Sequence, residues 1–164
     1  MANLTPHFTT TELRFDGAPA DAQRNLRDLA ELLEAVRSAV RVPLQVTSGY
    51  RSPARNAAVG GSDTSQHTKG EAADFVPSGI SVAEFLNRFG DAVARGQMPD
   101  WGQLIAYPYT TGHLHISLPR LSKNRQVLIR TAEGGYSHIK LSSPVGVGLV
   151  LLALALFYLF IIKG

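Results

Sequence analysis

The sequence of 164 residues contains no cysteine. Disulfide bonds are therefore excluded, and so are metal sites built on thiolates. The lack of cysteine leaves the redox compartment open, because a chain without thiols suits an oxidising and a reducing environment equally. Any transition-metal centre in this protein has to use nitrogen and oxygen ligands.

The chain also has few charges and no run of one sign. Charged residues make up 18% of it, and the formal net charge of +3 comes from scattered basic residues. Nucleic-acid-binding proteins usually carry a basic patch or run, so no nucleic-acid partner is expected. The first residues, MANLTP, contain neither a basic start nor an apolar stretch, and we expect no cleavable secretion signal.

Hydrophobic residues are unevenly spread, with one long run near the C-terminus. Val145–Ile162 contains eighteen residues without a charge or a strongly polar side chain. A helix of this length would span about 27 Å, which is close to the hydrocarbon core of a bilayer at about 30 Å. Tyr158 near the end of the run and Lys163 just outside it suit a membrane interface. The run predicts a membrane-spanning helix; the alternative is a buried core helix.

The remaining sequence predicts helices and strands. Asp21–Val40 has an apolar stripe at helical spacing, and capping boxes at Thr9–Glu12 and Ser81–Glu84 predict two more helix starts. Strands are predicted at residues 44–47, 71–76, 103–107 and 114–118, with weaker signals at 127–129 and 136–141. Helices followed by antiparallel-looking strands predict an α+β fold, in which helices pack on a small antiparallel sheet.

The same patterns divide the chain into three parts. We predict a folded domain over residues 1–141 and a linker over residues 142–144. The membrane-spanning helix is predicted over residues 145–162. The average hydropathy of the chain is near zero because it combines an ordinary domain with one very apolar segment.

The residues that suit chemistry are concentrated in Thr47–Phe75, TSGYRSPARNAAVGGSDTSQHTKGEAADF. His67 and Asp74 lie seven residues apart on either side of a glycine turn. Further along, His113-Leu114-His115 places two imidazoles on one face of a predicted strand. Two nitrogens and one carboxylate oxygen, with a fourth position open, form the ligand set of a catalytic zinc site. The alternative is two core histidines and an aspartate in a turn.

Several motifs, in this order, resemble a known family. They are SGYRSP, NAAVGGS, SQHTKGEAAD, QLIAY and HLHIS, and the similar region runs from about Phe8 to about Val127. The sequence is similar to zinc peptidases of the D-Ala-D-Ala carboxypeptidase and L-alanyl-D-glutamate endopeptidase type, which are common as bacterial and phage cell-wall enzymes. The resemblance implies Zn²⁺ as the cofactor and assigns His67, Asp74 and His115 as its ligands.

Three more residues are assigned to the neighbourhood of that site. Arg51 follows the SGY turn, and its planar guanidinium suits a bidentate grip on a substrate carboxylate, so we predict a catalytic and substrate-binding role. The resemblance agrees, since an arginine of this motif lies by the zinc in relatives. The alternative is a structural ion pair with Asp63 or Asp74. Ser65 and Gln66 are predicted to bind substrate, although Ser65 suits a turn equally well.

The resemblance does not fix the general base. Many relatives have an acidic residue just before the last zinc histidine or at the end of the QLI strand, and this chain has none at either place. His113 is the titratable group nearest to His115 and is our candidate for the catalytic base. Asp100 or Glu71 would have to serve if His113 is buried or turned away.

These assignments predict a zinc-dependent peptidase that cleaves the peptide moiety of bacterial peptidoglycan. The alternative is a peptidoglycan-binding module on the same fold, without turnover, because the acidic base is missing. A lipid membrane is the second predicted partner, through the C-terminal helix. The resemblance to cell-wall peptidases, together with a C-terminal apolar run and no signal sequence, suggests a phage or prophage lysis protein or a virion protein. It would be anchored in the host inner membrane or a virion membrane, with virion or lysis-system partners.

Overall fold

The computed structural model describes residues 2–108, 112–120 and 124–141. Its helices are α1 (Thr10–Leu13), α2 (Ala20–Val40), α3 (Pro53–Ala58) and α4 (Val82–Ala94). Its strands are β1 (Leu44–Ser48), β2 (Ala72–Pro77), β3 (Gln103–Tyr107), β4 (His113–Ser117), β5 (Gln126–Arg130) and β6 (Tyr136–His138). Two short 3-10 turns lie at Phe15–Gly17 and Gln66–Lys69.

The helices begin and end where the local sequence predicts. At α1 both halves of the capping box are formed, since Thr9 Oγ1 accepts from the Glu12 amide and the Glu12 carboxylate accepts from the Thr9 amide. The apolar stripe of α2 is buried, with Leu26 and Leu29 fully inaccessible. This helix ends at Arg41, which adopts a left-handed conformation and closes the last turn.

The six strands form one sheet in the order β1-β2-β4-β3-β5-β6. Neighbouring strands are antiparallel except β3 and β5, which run parallel. The parallel pair arises because β4 ends beside the start of β3. β5 begins on the other edge of β3 at the same end of the sheet, where the Gln126 backbone amide donates to the Gly102 carbonyl. The α+β class is confirmed, but our prediction of an antiparallel sheet is wrong, because the sheet is mixed.

The predicted fold class also contained a membrane-spanning helix, and this part is corrected too. In the residues that the structure describes, no helix is both long enough and apolar enough to cross a bilayer. Residues 145–162, on which the prediction was made, lie outside the described residues, as do residues 142–144 of the predicted linker. The corrected fold class is an α+β domain with a mixed six-stranded sheet.

The two faces of the sheet differ in what they contact. Phe75 of β2 and Leu114 of β4 are fully buried, and the Phe75 ring lies 5.5 Å from the ring of Phe85 in α4. This face therefore packs against α4 and forms the core. Because side chains alternate along a strand, Asp74 and His115 point to the opposite face. The sheet thus separates the apolar core from the residues predicted to carry chemistry.

Candidate metal centre

Two adjacent strands carry two residues of the centre. Asp74 and His115 are direct register partners in the antiparallel pair β2–β4, so their side chains leave the same face of the sheet side by side. His115 Nδ1 lies 2.9 Å from Asp74 Oδ1. Both donors are therefore fixed by regular strands rather than by loops.

His67 reaches this pair from the 3-10 turn Gln66–Lys69. The turn ends at Gly70 with φ of 69°, where a Cβ would lie 2.4 Å from the backbone oxygen of Ala22, so only glycine lets the turn lie on α2. His67 Nδ1 lies 2.9 Å from the Gly49 carbonyl oxygen. Because a carbonyl only accepts, Nδ1 carries the proton, and in the neutral ring Nε2 is an acceptor that faces the other two residues.

The three donor atoms form a compact triangle. His67 Nε2 lies 3.1 Å from Asp74 Oδ1 and 3.2 Å from His115 Nδ1. Tetrahedral ligands at about 2.1 Å from a zinc ion are separated by about 3.4 Å, so the spacing fits such a site. An unprotonated nitrogen and a carboxylate oxygen this close repel each other unless a proton or a cation lies between them. The structure brings the three predicted ligands together, and the donor set fits a divalent metal ion.

Burial and hydrogen bonding set the charges of this cluster. His67 is 3% exposed and Asp74 is 8% exposed. Burial alone would raise the pKa of Asp74, but hydrogen bonds with His115 and His67 outweigh it, and the pKa falls well below the usual range of a carboxyl. Burial lowers the pKa of His115. An ionised carboxylate beside a neutral imidazole is the protonation state that metal binding requires.

Arg51 contacts the second oxygen of the aspartate. Its Nη2 donates to Asp74 Oδ2, and its Nε donates to Ser48 Oγ at 2.8 Å. The ion pair with Asp74, which was the structural alternative for Arg51, is therefore present. Among the described residues Nη1 of Arg51 makes no hydrogen bond, so one nitrogen remains for a substrate carboxylate. Arg51 thus orients the carboxylate of the cluster and keeps a donor for a ligand.

His113 lies two residues before His115 on β4 and therefore on the same face. Tyr107, its register partner on β3, stacks on its ring with centroids 4.3 Å apart and an interplanar angle of 8°. Burial lowers the pKa of His113; the charge of Asp74 opposes this effect, and the charge of Arg51 adds to it. The predicted base is thus half-buried beside the cluster, and its catalytic role stays a prediction.

Ser65 and Gln66 precede the metal-facing histidine. Ser65 comes just before the 3-10 turn without a capping hydrogen bond from its side chain, and its carbonyl accepts from Thr68 Oγ1 at 2.7 Å. Gln66 is 8% exposed, and its Nε2 has no hydrogen-bond partner among the described residues. A buried donor without a partner costs about 1–3 kcal/mol. The Gln66 amide nitrogen is itself buried, so its predicted contact with substrate stays a prediction, whereas the contacts of Ser65 suit the turn alternative.

The two carboxylates named as alternative bases form ion pairs elsewhere. Glu71 Oε1 accepts from Arg120 Nη2 at 2.7 Å, and Asp100 Oδ1 accepts from Arg125 Nε at 2.8 Å. In the described part of the chain, neither carboxylate belongs to the cluster that suits a metal ion. Of the three predicted bases, His113 is the one that lies close enough to the cluster to be affected by the charge of Asp74.

Sequence reasoning missed three residues that support the site. Ser48 holds the Arg51 guanidinium, the Gly49 carbonyl holds the His67 ring, and Tyr107 stacks on His113. The sequence signal for Gly49 was its place in the SGYRSP motif. The structure explains why glycine is needed there, because a Cβ would lie 2.4 Å from the Leu13 carbonyl oxygen. Tyr107 ends the QLIAY motif, at a position where many relatives have an acidic residue. No role was predicted from the sequence for the aromatic ring found there.

The fold and the cluster define a class of protein. A buried His–Asp–His triangle on one face of a sheet, with an arginine on its carboxylate, is a donor set that suits the metal ion of a metal-dependent enzyme. The chain belongs to the peptidase M15 family, whose sequence profile matches residues 3–117. Peptidases of this family depend on zinc, so the chain is a zinc metallopeptidase by family and by donor set. The match contains all three cluster residues and ends before β5. No curated protein matches the chain.

Proposed function

We propose that this protein hydrolyses peptide bonds in the peptide moiety of bacterial peptidoglycan. The observation that carries the proposal is the triangle of His67, Asp74 and His115 with Arg51 directly against its carboxylate. Such a site offers a metal position for a scissile carbonyl and an adjacent cation for a substrate carboxylate. Stem peptides contain both groups close together, because they are short and carry free carboxylates. The similarity of SGYRSP, SQHTKGEAAD and HLHIS to cell-wall peptidases supports the same substrate.

Each residue of the site has one role in this proposal. His67, Asp74 and His115 would hold the zinc ion, which would supply a Lewis acid for the scissile carbonyl. His113 accepts a proton from the attacking water as the water oxygen joins the carbonyl carbon, and it then delivers that proton to the leaving amine as the C–N bond breaks. Arg51 holds a substrate carboxylate through Nη1.

Digestion of isolated peptidoglycan tests the function directly. The purified chain is incubated with peptidoglycan, and mass spectrometry identifies the new peptide ends. We expect one type of new carboxyl end that is absent when a chelator removes the metal. Intact stem peptides after incubation with the zinc-loaded protein would contradict hydrolysis.

One observation favours the second candidate, a peptidoglycan-binding module without turnover. Within the described residues, the only carboxylate of the cluster is Asp74, and it is already engaged by two imidazoles and Arg51. If His113 does not act as the base, the site has the ligands and the substrate cation but no proton acceptor. Retention of the protein on peptidoglycan without any new peptide ends would identify this function.

Replacing Arg51 by lysine is expected to lower kcat/KM by about 10-fold or more while bound zinc is retained. One ammonium cannot donate to Ser48, Asp74 and a substrate carboxylate in the geometry of the planar guanidinium. Arg51→Ala should in addition weaken zinc binding by about 10- to 100-fold, because the second oxygen of Asp74 loses its partner. Metal titration and steady-state kinetics measure both effects, with Arg95→Lys as the control for an exposed arginine. Unchanged kinetics in Arg51→Lys would show that the guanidinium geometry is not used.

A role in lysis by a phage or prophage, with virion or lysis-system partners, stays a prediction. It was drawn from the family resemblance and from residues 145–162, which lie outside the described residues. The predicted membrane-anchored location and the lipid partner have the same basis. The peptidase proposal does not depend on them, because the ligands, Arg51, Gln66 and His113 all lie within the described residues.

A further inference from the structure

A cleft of about 370 Å³ lies next to the turn that carries Arg51. Tyr50 and Ser52, the residues on either side of Arg51, both line it, whereas the Arg51 side chain reaches Asp74. The volume is within the range of sites that bind small ligands, about 300–1,000 Å³. We call this space, lined also by Arg14, Asp16 and Arg55, the arginine cleft.

The arginine cleft has an excess of positive charge. Arg14 and Arg55 form no ion pair within the part of the chain that the structure describes, although Asp16 also lines the cleft. Burial lowers the pKa of Arg14, and the nearby charges of Arg55 and Arg51 lower it further. The two guanidinium groups that line the cleft repel each other, and the Asp16 carboxylate balances only one of them, so the cleft keeps one net positive charge. The hydroxyl groups of Thr11 and Ser52 add hydrogen-bonding capacity to the same space.

The backbone holds Arg14 in a fixed place relative to the metal centre. Arg14 has φ of 56°, a left-handed conformation that is uncommon for arginine. The preceding carbonyl, that of Leu13, accepts from the Tyr50 amide at 3.0 Å. Gly49 makes this contact possible, since its missing Cβ would collide with the Leu13 backbone. The end of α1 is therefore clamped to the turn that also holds His67 and Arg51.

Arg55 is positioned by the next helix. Ser52 caps α3 by accepting from the Arg55 amide, and Pro53 begins its first turn. The cap orients the start of the helix so that Ser52 and Arg55 line the same cleft as Arg14. The two arginines thus come from separate elements, and both elements are joined to the SGYRSP turn.

We propose that the arginine cleft binds a second carboxylate of the peptide substrate, away from the scissile bond. The proposal rests on the proposed function and extends it, since Arg51 at the metal centre and the arginine pair in the cleft would hold two carboxylates of one stem peptide. Arginine pairs also bind phosphate groups. Asp16 favours a peptide, because one negative charge in the cleft repels a polyphosphate and attracts the ammonium group that a peptide also carries.

The test compares two synthetic stem peptides that differ only in whether the free carboxylate of their D-glutamate residue is amidated. We expect the wild-type chain to cleave the free acid about 10-fold or more faster in kcat/KM than the amidated peptide. The double variant Arg14→Gln/Arg55→Gln should cleave both peptides at similar rates, with unchanged zinc content. Arg37→Gln/Arg95→Gln removes the same charge from α2 and the end of α4, and it should keep the wild-type preference. A preference that survives in the Arg14 and Arg55 variant would overturn the proposal.

A binding measurement separates this proposal from the peptidase proposal. Amide NMR shifts of Tyr50, Ser52 and Gly17 are followed in the wild-type chain during titration with the free-acid peptide, the amidated peptide and inorganic phosphate. The free acid should move these signals at lower concentration than the other two ligands, even if no peptide is cleaved. Equal effects of both peptides, or tighter binding of phosphate, would overturn the assignment of the cleft. Specific shifts without cleavage would instead overturn hydrolysis and leave the cleft in place.

Discussion

Replacing His67 or His115 by alanine is expected to remove bound zinc and hydrolysis together. Each variant leaves one nitrogen and one carboxylate oxygen in a site that needs three protein ligands. Loss of a residue that merely supports a ligand lowers metal affinity by about 10- to 100-fold, so loss of a ligand itself should exceed about 100-fold. Metal analysis after dialysis and the peptidoglycan digestion assay measure the two effects on the same sample.

His138→Ala is the matched control for these variants. His138 is an exposed histidine on the edge strand β6, and strands β3 and β5 lie between it and His115. Its replacement should leave zinc content and hydrolysis unchanged. Asp74→Asn should resemble the histidine variants, because an amide oxygen is a weaker ligand and no longer pairs with Arg51. Full zinc content in His67→Ala or His115→Ala would rule out the proposed ligand set.

His113→Asn is expected to lower kcat by about 100-fold or more while zinc stays bound. Asparagine keeps the approximate size and hydrogen-bonding capacity of the side chain but cannot accept the proton of the attacking water. The expectation depends on position: His113 shares a strand face with His115 and is held by the ring of Tyr107. Steady-state kinetics together with metal analysis distinguish a lost base from a lost ligand.

Two further variants complete this test. Tyr107→Phe keeps an aromatic ring against His113 and should retain most of the activity, whereas Tyr107→Ala removes the stack and should impair turnover. Glu71→Gln breaks the ion pair with Arg120, and it tests whether this carboxylate outside the cluster acts as the base. Normal turnover in His113→Asn would transfer the role of base to another group. If the Glu71 and Asp100 variants also turned over normally, none of the three predicted bases would be the catalytic base.

The helices follow from local sequence, and the cluster residues were identified from the family resemblance of short motifs. The Thr9 capping box and the apolar stripe of α2 act within a few residues, so they are visible without a structure. The family resemblance of SQHTKGEAAD and HLHIS assigned which His and Asp residues would meet. The pairing of Asp74 with His115 then follows from two short strands whose side chains alternate.

Two features required information that no local pattern contains. The parallel pairing of β3 with β5 depends on the path between Ser117 and Gln126, and short connections between strands suggested antiparallel neighbours instead. The ion pair of Arg51 with Asp74 depends on the approach of the SGYRSP turn to β2. That approach is set by the contact of Gly49 with Leu13, two residues far apart in sequence. Both features depend on contacts between residues that are far apart in sequence, so they become visible only in the folded protein.

The central claim is that this chain is a zinc-dependent peptidase acting on peptidoglycan, and metal titration tests it most directly. The full-length protein is stripped of metal, zinc is added in steps, and hydrolysis of isolated peptidoglycan is followed at each step. The account predicts no hydrolysis without zinc, a rate that rises in proportion to bound zinc, and saturation at about one zinc per chain. Hydrolysis that is complete without zinc, or its absence when one zinc is bound, would contradict the account.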